Sequence, residues 1–193
     1  PLYITRALSA SLDLCEGKYD MISLYGGHCF ERQICREPLR HGTQSVGSRR
    51  GTSGHFHNPF IALAAPETTE TAGEVYAAAL VYSGNFIAQA DVNYQDAIRL
   101  QIGIHPADFR WKLENGDSFV TPEAVLTYSA TGLNTMSQNF HNAIKYHLGH
   151  TKFRNAPRPV VINNWEATYF NFNEEKLLEL IGSCNGLGID TFV

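Results

Sequence analysis

The feature that most constrains this chain is a change of hydrophobic period near residue 132. Before it, apolar residues come in short runs of strand length. "ALSASLDL" alternates apolar and small polar residues, as a half-buried strand does. "YDMISLYGGH", "FIALAAP", "AIRLQIGIH", "FRWKL" and "SFVTPEAVLTYS" continue the theme, with Pro66 stopping one run. Ser83-Gly84-Asn85 splits "EVYAAALVYSGNFIAQADV" and predicts a hairpin turn, and Asn115-Gly116 marks another turn. Many strands with no helix between them predict a β-sandwich over residues 1–132. Beyond that point Met136, Phe140, Ile144 and Leu148 recur every four residues, which sets them on one helical face. Asn134 is the expected cap of this helix and Gly149 its expected stop. The basic, proline-punctuated "TKFRNAPRP" follows, so residues 133–157 are expected to be a linker helix and linker.

A third pattern fills residues 158–193. "PVVINNW" is apolar enough for a strand buried on both faces, as parallel strands are. Asn173, or Asn171 with Glu174 three residues on, caps a second helix whose expected buried stripe is Leu177, Leu180, Ile181 and Cys184. Glu174 and Glu175 occupy its first turn, where the helix dipole favours acids. Gly186 and Gly188 end it, and "IDTFV" opens another strand. This is one β-α-β unit. The expected fold class is therefore mainly β, with a parallel unit at the carboxyl end.

Composition narrows the function classes. With 44% hydrophobic and 18% charged residues the chain can bury a core. The formal charge of −4 is spread without a basic block, which argues against a nucleic-acid partner. No apolar run is long enough to span a membrane. The chain opens "PLYITRALSASLDL", without methionine, and reads as the middle of a longer polypeptide. Cys15, Cys29, Cys35 and Cys184 match no zinc or redox spacing and read as free thiols of a reducing, cytoplasmic compartment. The pairing of Cys29 with Cys35 stays open at this level.

In parallel β/α folds, ligands meet the carboxyl ends of the strands. That places Asn163, Asn164, Trp165 and Glu166 at a rim. A flat indole there suits the apolar face of a sugar ring, and amides suit its hydroxyls. The plainer alternative has Trp165 packing under a loop while the asparagines satisfy backbone groups. Glu166, adjacent to Trp165 along a strand, would face the opposite way and serve structural hydrogen bonding. His55 and His57 lie two apart as metal-binding pairs can, but no acid follows, so a turn before Asn58-Pro59 is expected instead of a metal site. Glu74, Glu123 and Glu166 are not brought together by any spacing. Asp190 is given no role. Gly186 to Gly188 sit at a helix end and are not a phosphate loop.

"RPVVINNWEATYFNFNEEKLLELI" resembles the opening of the catalytic barrel in α-galactosidases of glycoside hydrolase family 36. "SRRGTSGHFHNPFIAL", "GEVYAAALVYSGNF" and "TPEAVLTYSATGLNTMSQNFH" are similar to the amino-terminal domain of the same enzymes, in the same order. The resemblance covers essentially the whole chain. It implies a β-supersandwich followed by the start of a (β/α)₈ barrel, with 158–193 as the first unit of that barrel. It implies retaining hydrolysis of terminal α-1,6-linked galactose from melibiose, raffinose and related oligosaccharides, with no cofactor and no metal. It places both catalytic aspartates beyond Val193, so no catalytic residue is expected in this chain. A whole barrel takes about 250 residues, more than the entire 193-residue chain, so the chain is expected to be inactive alone.

Two substrate-binding residues follow from the same resemblance. Trp165 matches a tryptophan that lines the galactose pocket. The segment "YGGHCFER" matches a sandwich-domain segment that usually carries tryptophan where His28 stands. Tetrameric members of the family bring that domain toward a neighbour's active site, so the resemblance implies a homo-oligomer with His28 near galactose-containing oligosaccharides. The departure from tryptophan weakens a stacking role, and a surface-loop histidine is the plainer reading. The rival from another class is a non-catalytic β-sandwich that binds carbohydrate or serves as an assembly surface.

Overall fold

The computed structural model describes residues 2–193. The strands are β1 (Leu2–Ile4), β2 (Leu8–Leu14), β3 (Asp20–Tyr25), β4 (Gln33–Pro38), β5 (Gly42–Ser48), β6 (Phe60–Ala64), β7 (Val75–Val81), β8 (Phe86–Val92), β9 (Ile98–Ile104), β10 (Trp111–Leu113), β11 (Glu123–Ser129), β12 (Val161–Ile162) and β13 (Thr191–Phe192). The helices are α1 (Leu133–Ala143), α2 (Trp165–Thr168) and α3 (Glu174–Ser183). The chain is mainly β and divides into two compact units, the first ending at His147 and the second spanning Leu148–Val193.

The first unit is a sandwich of two antiparallel sheets, ordered β11-β7-β6-β3-β4 and β2-β9-β8-β5. Alternation along the strands decides what each face meets. Ile61, Leu63, Ala78 and Leu80 point inward and meet Phe86, Ala88, Ala90, Ile98, Leu100 and Ile102 from the opposing sheet. The intervening residues of β8 and β9 face out and pair across the strands: Gln89 with Gln101, Asp91 with Arg99. The other face of the five-stranded sheet is not left to water. Ala62, Ala64, Val75 and Ala77 pack against Met136 and Phe140 of α1. Small residues at those positions let the helix lie close, and the result is three layers in which β6 and β7 are buried on both sides.

Several expectations need correction. Ser83-Gly84-Asn85 is not a hairpin turn: β7 pairs with β6 and β11, β8 with β5 and β9, so the chain there crosses from one sheet to the other. α1 is not capped by Asn134. Its cap is Gly132, at φ 89°, with no side-chain hydrogen bond. The helix's first amides are met by carbonyls of the β6–β7 loop, Leu133 N–H donating to Thr69 (3.0 Å) and Asn134 N–H to Glu70 (3.0 Å). Backbone carbonyls satisfy orphan donors as well as a side chain does. The helical stripe is only half used: Met136 and Phe140 are buried, but Ile144 and Leu148 are 54% and 41% exposed. At Ile144 the helix widens into a π-helical turn that ends at Leu148, next to the expected stop at Gly149.

The second unit holds the predicted β-α-β motif, with β12 and β13 parallel. Asn173, not Asn171, caps α3, its Oδ1 accepting from the Lys176 N–H at 2.9 Å. The burial expected of the strand is absent. Val160, Val161 and Ile162 are 54%, 53% and 38% exposed, because a two-stranded sheet with one short helix cannot cover both faces. Ile181, predicted to lie in the buried stripe of α3, is exposed as well.

Candidate functional site

The carboxyl end of β12 is built by its asparagines. Asn164 N–H donates to the Val193 carbonyl (3.0 Å), which fastens the second residue after β12 to the residue after β13. The Asn163 Oδ1 accepts from the Trp165 N–H (2.7 Å) and turns the chain into α2. The Asn164 Nδ2 donates to the Thr168 Oγ1 (2.9 Å), and that hydroxyl donates to the Asn164 carbonyl. The amides therefore serve local structure. They leave the aromatic side chains in the open. Trp165 is 45% exposed and is met edge-on by Tyr169 (ring centroids 5.4 Å apart) and by Phe170 (4.9 Å).

Trp165 and Glu166 lie on a one-turn helix, so the strand-alternation argument that sent them to opposite faces does not apply. Glu166 nonetheless has a local partner, accepting from the Tyr169 hydroxyl at 3.3 Å. Tyr169 holds φ 49°, a left-handed conformation unusual for a bulky residue. No sequence signal beyond the spacing Trp165-Tyr169-Phe170 points to this cluster, and that spacing is informative only once α2 is known.

His28 stands in the β3–β4 loop and is exposed. The loop closes on itself, with the Phe30 N–H donating to the Gly27 carbonyl (2.9 Å), and it is tied to the next segment by the Gly26 N–H on the Phe56 carbonyl (3.3 Å). Cys29 and Arg32 both take positive φ, 65° and 59°. The Glu31 carboxyl is held below its usual range first by its own backbone N–H, against the opposing effect of burial, with the Cys29 N–H and the nearby His28 and His55 rings adding to the lowering. Apolar side chains cluster around it: Phe30 and Ile34 are 71% and 67% exposed, and Tyr25 and Phe56 are half-exposed. The Arg50 guanidinium lies 3.9 Å from the Phe56 ring centroid.

The remaining candidates have structural partners. His55 stacks on Phe56, and His57 bridges Tyr25. Among the described residues, no group of three histidine, cysteine or acidic side chains converges as a metal site would need. Asp190 accepts from the Val160 N–H at 2.8 Å and so holds the amino end of the β12 segment. Glu74 accepts from the hydroxyls of Tyr19 (2.6 Å) and Tyr128 (3.1 Å), a cluster that sequence spacing does not reveal. Burial and the Glu74 carboxylate raise the Tyr19 hydroxyl well above its ordinary value. The four cysteines are free. Among the described residues, no helix is long and apolar enough to cross a membrane.

Residues 1–114 match the family model described as the glycosyl hydrolase family 36 N-terminal domain, and residues 118–193 match the model described as melibiase. Alpha-galactosidase AgaA of Geobacillus stearothermophilus is 49% identical over 192 residues, which is 100% of this chain and 26% of the relative. The crystal structures of variants of that enzyme in complex with stachyose and with raffinose superpose with TM-scores of 0.94 and 0.95 at 48% identity. Each covers 98% of this chain and 26% of the other. The chain thus spans about a quarter of the length of the curated relatives it matches.

Proposed function

The chain belongs to glycosyl hydrolase family 36, and from that membership we propose that it is part of a retaining α-galactosidase acting on terminal α-1,6-linked galactose in melibiose, raffinose and related oligosaccharides. In this reading residues 1–132 are the amino-terminal sandwich, 133–157 the connection, and 158–193 the first β-α-β unit of the catalytic barrel. The observation that carries it is the half-exposed indole of Trp165, flanked by two rings, at the carboxyl end of a parallel strand. That is where barrel enzymes hold their ligands. The stachyose and raffinose complexes of the Geobacillus relative support the substrate class.

Trp165 lines the galactose site, giving the sugar's apolar face a flat surface. His28 contributes a hydrogen bond to a substrate hydroxyl in a neighbouring subunit. The exposed apolar side chains around it, Phe30 and Ile34 above all, support a homo-oligomeric interface at that loop. Free thiols support a cytoplasmic location. The reaction needs two carboxyl groups about 5–5.5 Å apart. Of the acids weighed from sequence, Glu74 is engaged by two tyrosines and Glu166 by one. The family resemblance, and not these contacts, is the ground for taking the nucleophile and the acid/base to lie outside this chain. The test compares the purified 193-residue chain with a polypeptide extended to the length of its relatives, each incubated with a chromogenic α-galactoside. Release is expected from the extended protein alone. Turnover by the short chain, with contaminating enzyme excluded, overturns the placement.

A further inference from the structure

At the end of the sandwich away from His28 there is a second polar cleft. The β3–β4 register fixes the geometry: Tyr25 pairs with Gln33 beside the His28 loop, and Asp20 pairs with Pro38 at the other end. There the β2–β3 turn, the β4–β5 turn and the β8–β9 hairpin border an open cleft of about 730 Å³. That lies in the usual range of about 300–1,000 Å³ for small-molecule sites. Leu39, Val92 and Ile98 supply apolar lining, and Tyr19 an aromatic wall.

The lining is fixed. The Tyr19 hydroxyl is anchored on Glu74 at 2.6 Å. Its ring stands edge-on to Tyr76, centroids 6.1 Å apart, and rests against Gly17, where a Cβ would come within 2.5 Å of it. Gly17 also holds φ 139°, so glycine is required there twice over. The Tyr19 carbonyl accepts from the Leu39 N–H at 2.9 Å. Asp20 is held by Arg36 at 2.7 Å, and Asp96 by His41 at 2.9 Å.

The other polar groups are not committed. Among the described residues, the side chains of Glu16 and Lys18 make no hydrogen bond or ion pair. Arg40 and Gln95 bond only through their backbone N–H groups, to Gln44 and Asn93. Elsewhere on the same sheets, opposite charges find each other, as Asp13 and Arg99 do at 2.7 Å. In the cleft Asp20 and Asp96 are paired as well, while the side chains of Glu16, Lys18, Arg40 and Gln95 stay without a protein partner among the described residues, beside an apolar and aromatic floor. Side chains of both signs line the cleft, which selects no strongly charged ligand and suits a neutral one rich in hydroxyls.

We propose that this cleft is a second carbohydrate-binding site, separate from Trp165, with Tyr19 under the sugar ring and Glu16, Lys18, Arg40 and Gln95 bonding its hydroxyls. It goes beyond the hydrolytic reading and does not depend on it. The test is a titration of the isotope-labelled 193-residue chain with raffinose, followed amide by amide, with inorganic phosphate as the ionic control. Saturable shifts are expected at residues 16–19, 39–41 and 95–96 at sugar concentrations on the order of 10 mM. Lys18→Ala and Arg40→Ala, both on the surface, should each weaken those shifts several-fold without moving the spectrum elsewhere. Shifts confined to residues 163–170, shifts produced by phosphate and not by raffinose, or no shifts at all would each overturn the proposal. The first outcome would leave the Trp165 reading standing, so the two readings fail separately.

Discussion

"FIALA" in β6 and "VVI" around β12 look alike as sequence, and the fold treats them differently. Ile61 and Leu63 are 0% exposed, while Val161 and Ile162 are 53% and 38% exposed. The first run lies between a second sheet and α1, three layers deep. The second lies in a two-stranded sheet. An apolar run states how much surface a strand would bury, but only the number of layers around it decides how much is buried. Within these 193 residues the sandwich supplies its own layers and the β-α-β unit does not.

The largest effect that tests this contrast lies in the sandwich. Phe86 is 0% exposed at the centre of the inter-sheet core. Phe86→Ala should cost about 3–5 kcal/mol, read as a lower urea midpoint with an unchanged slope. A loss below about 1 kcal/mol would mean the sheets collapse onto the gap, and the contrast in burial would not be a contrast in energy.

The second effect tests function in the exposed unit. In a polypeptide extended to the length of the relatives, the proposed sugar contact predicts that Trp165→Ala lowers kcat/KM for an α-galactoside by about 10²-fold through lost positioning, while the sandwich keeps its melting temperature. A packing role predicts instead a stability loss of about 3–5 kcal/mol. Normal kcat/KM with a large fall in melting temperature would reject the sugar contact.

A smaller effect belongs to the joint between sheet and helix. Gly132 holds φ 89°, and a Cβ there would lie 2.6 Å from the Thr69 carbonyl oxygen and the Ala72 nitrogen. Gly132→Ala should cost about 1–3 kcal/mol and release the α1 amides first in hydrogen exchange. Unchanged protection of the α1 amides would show that the β6–β7 loop is not what holds the helix start.

The same contrast explains what was legible in the sequence. Strands with buried faces were readable from alternation, as in "IRLQIGI". β4 and β5 were not, since the side chains of "QICREP" and "GTQSVGS" stay half in water and carry no apolar pattern. The break at Ser83-Gly84-Asn85 was visible, but nothing local says whether the strands on either side pair or separate. Asn134 looked like a cap because local rules cannot see the Thr69 and Glu70 carbonyls, more than sixty residues away in sequence. At the candidate site Trp165 was legible as a strand-end aromatic. The α2 turn that brings Tyr169 and Phe170 to it was not, because a single helical turn has no period to detect.

The smallest predicted effect compares the two units with a single exchange. Valine and threonine have nearly the same shape, so Val→Thr keeps strand geometry and replaces a methyl by a hydroxyl. At Val75, 0% exposed, the hydroxyl would be buried. If it finds no partner, the cost is about 1–3 kcal/mol. At Val161, more than half exposed, water meets the hydroxyl, and the change should stay within about 0.5 kcal/mol. Amide exchange read separately at β7 and at β12 distinguishes the two units within one protein. Equal losses at both positions would mean that Val161 packs in solution as deeply as Val75 does. The exposure of β12 would then be no guide to its energetics, and the distinction between a self-sufficient sandwich and an uncovered β-α-β unit would fail.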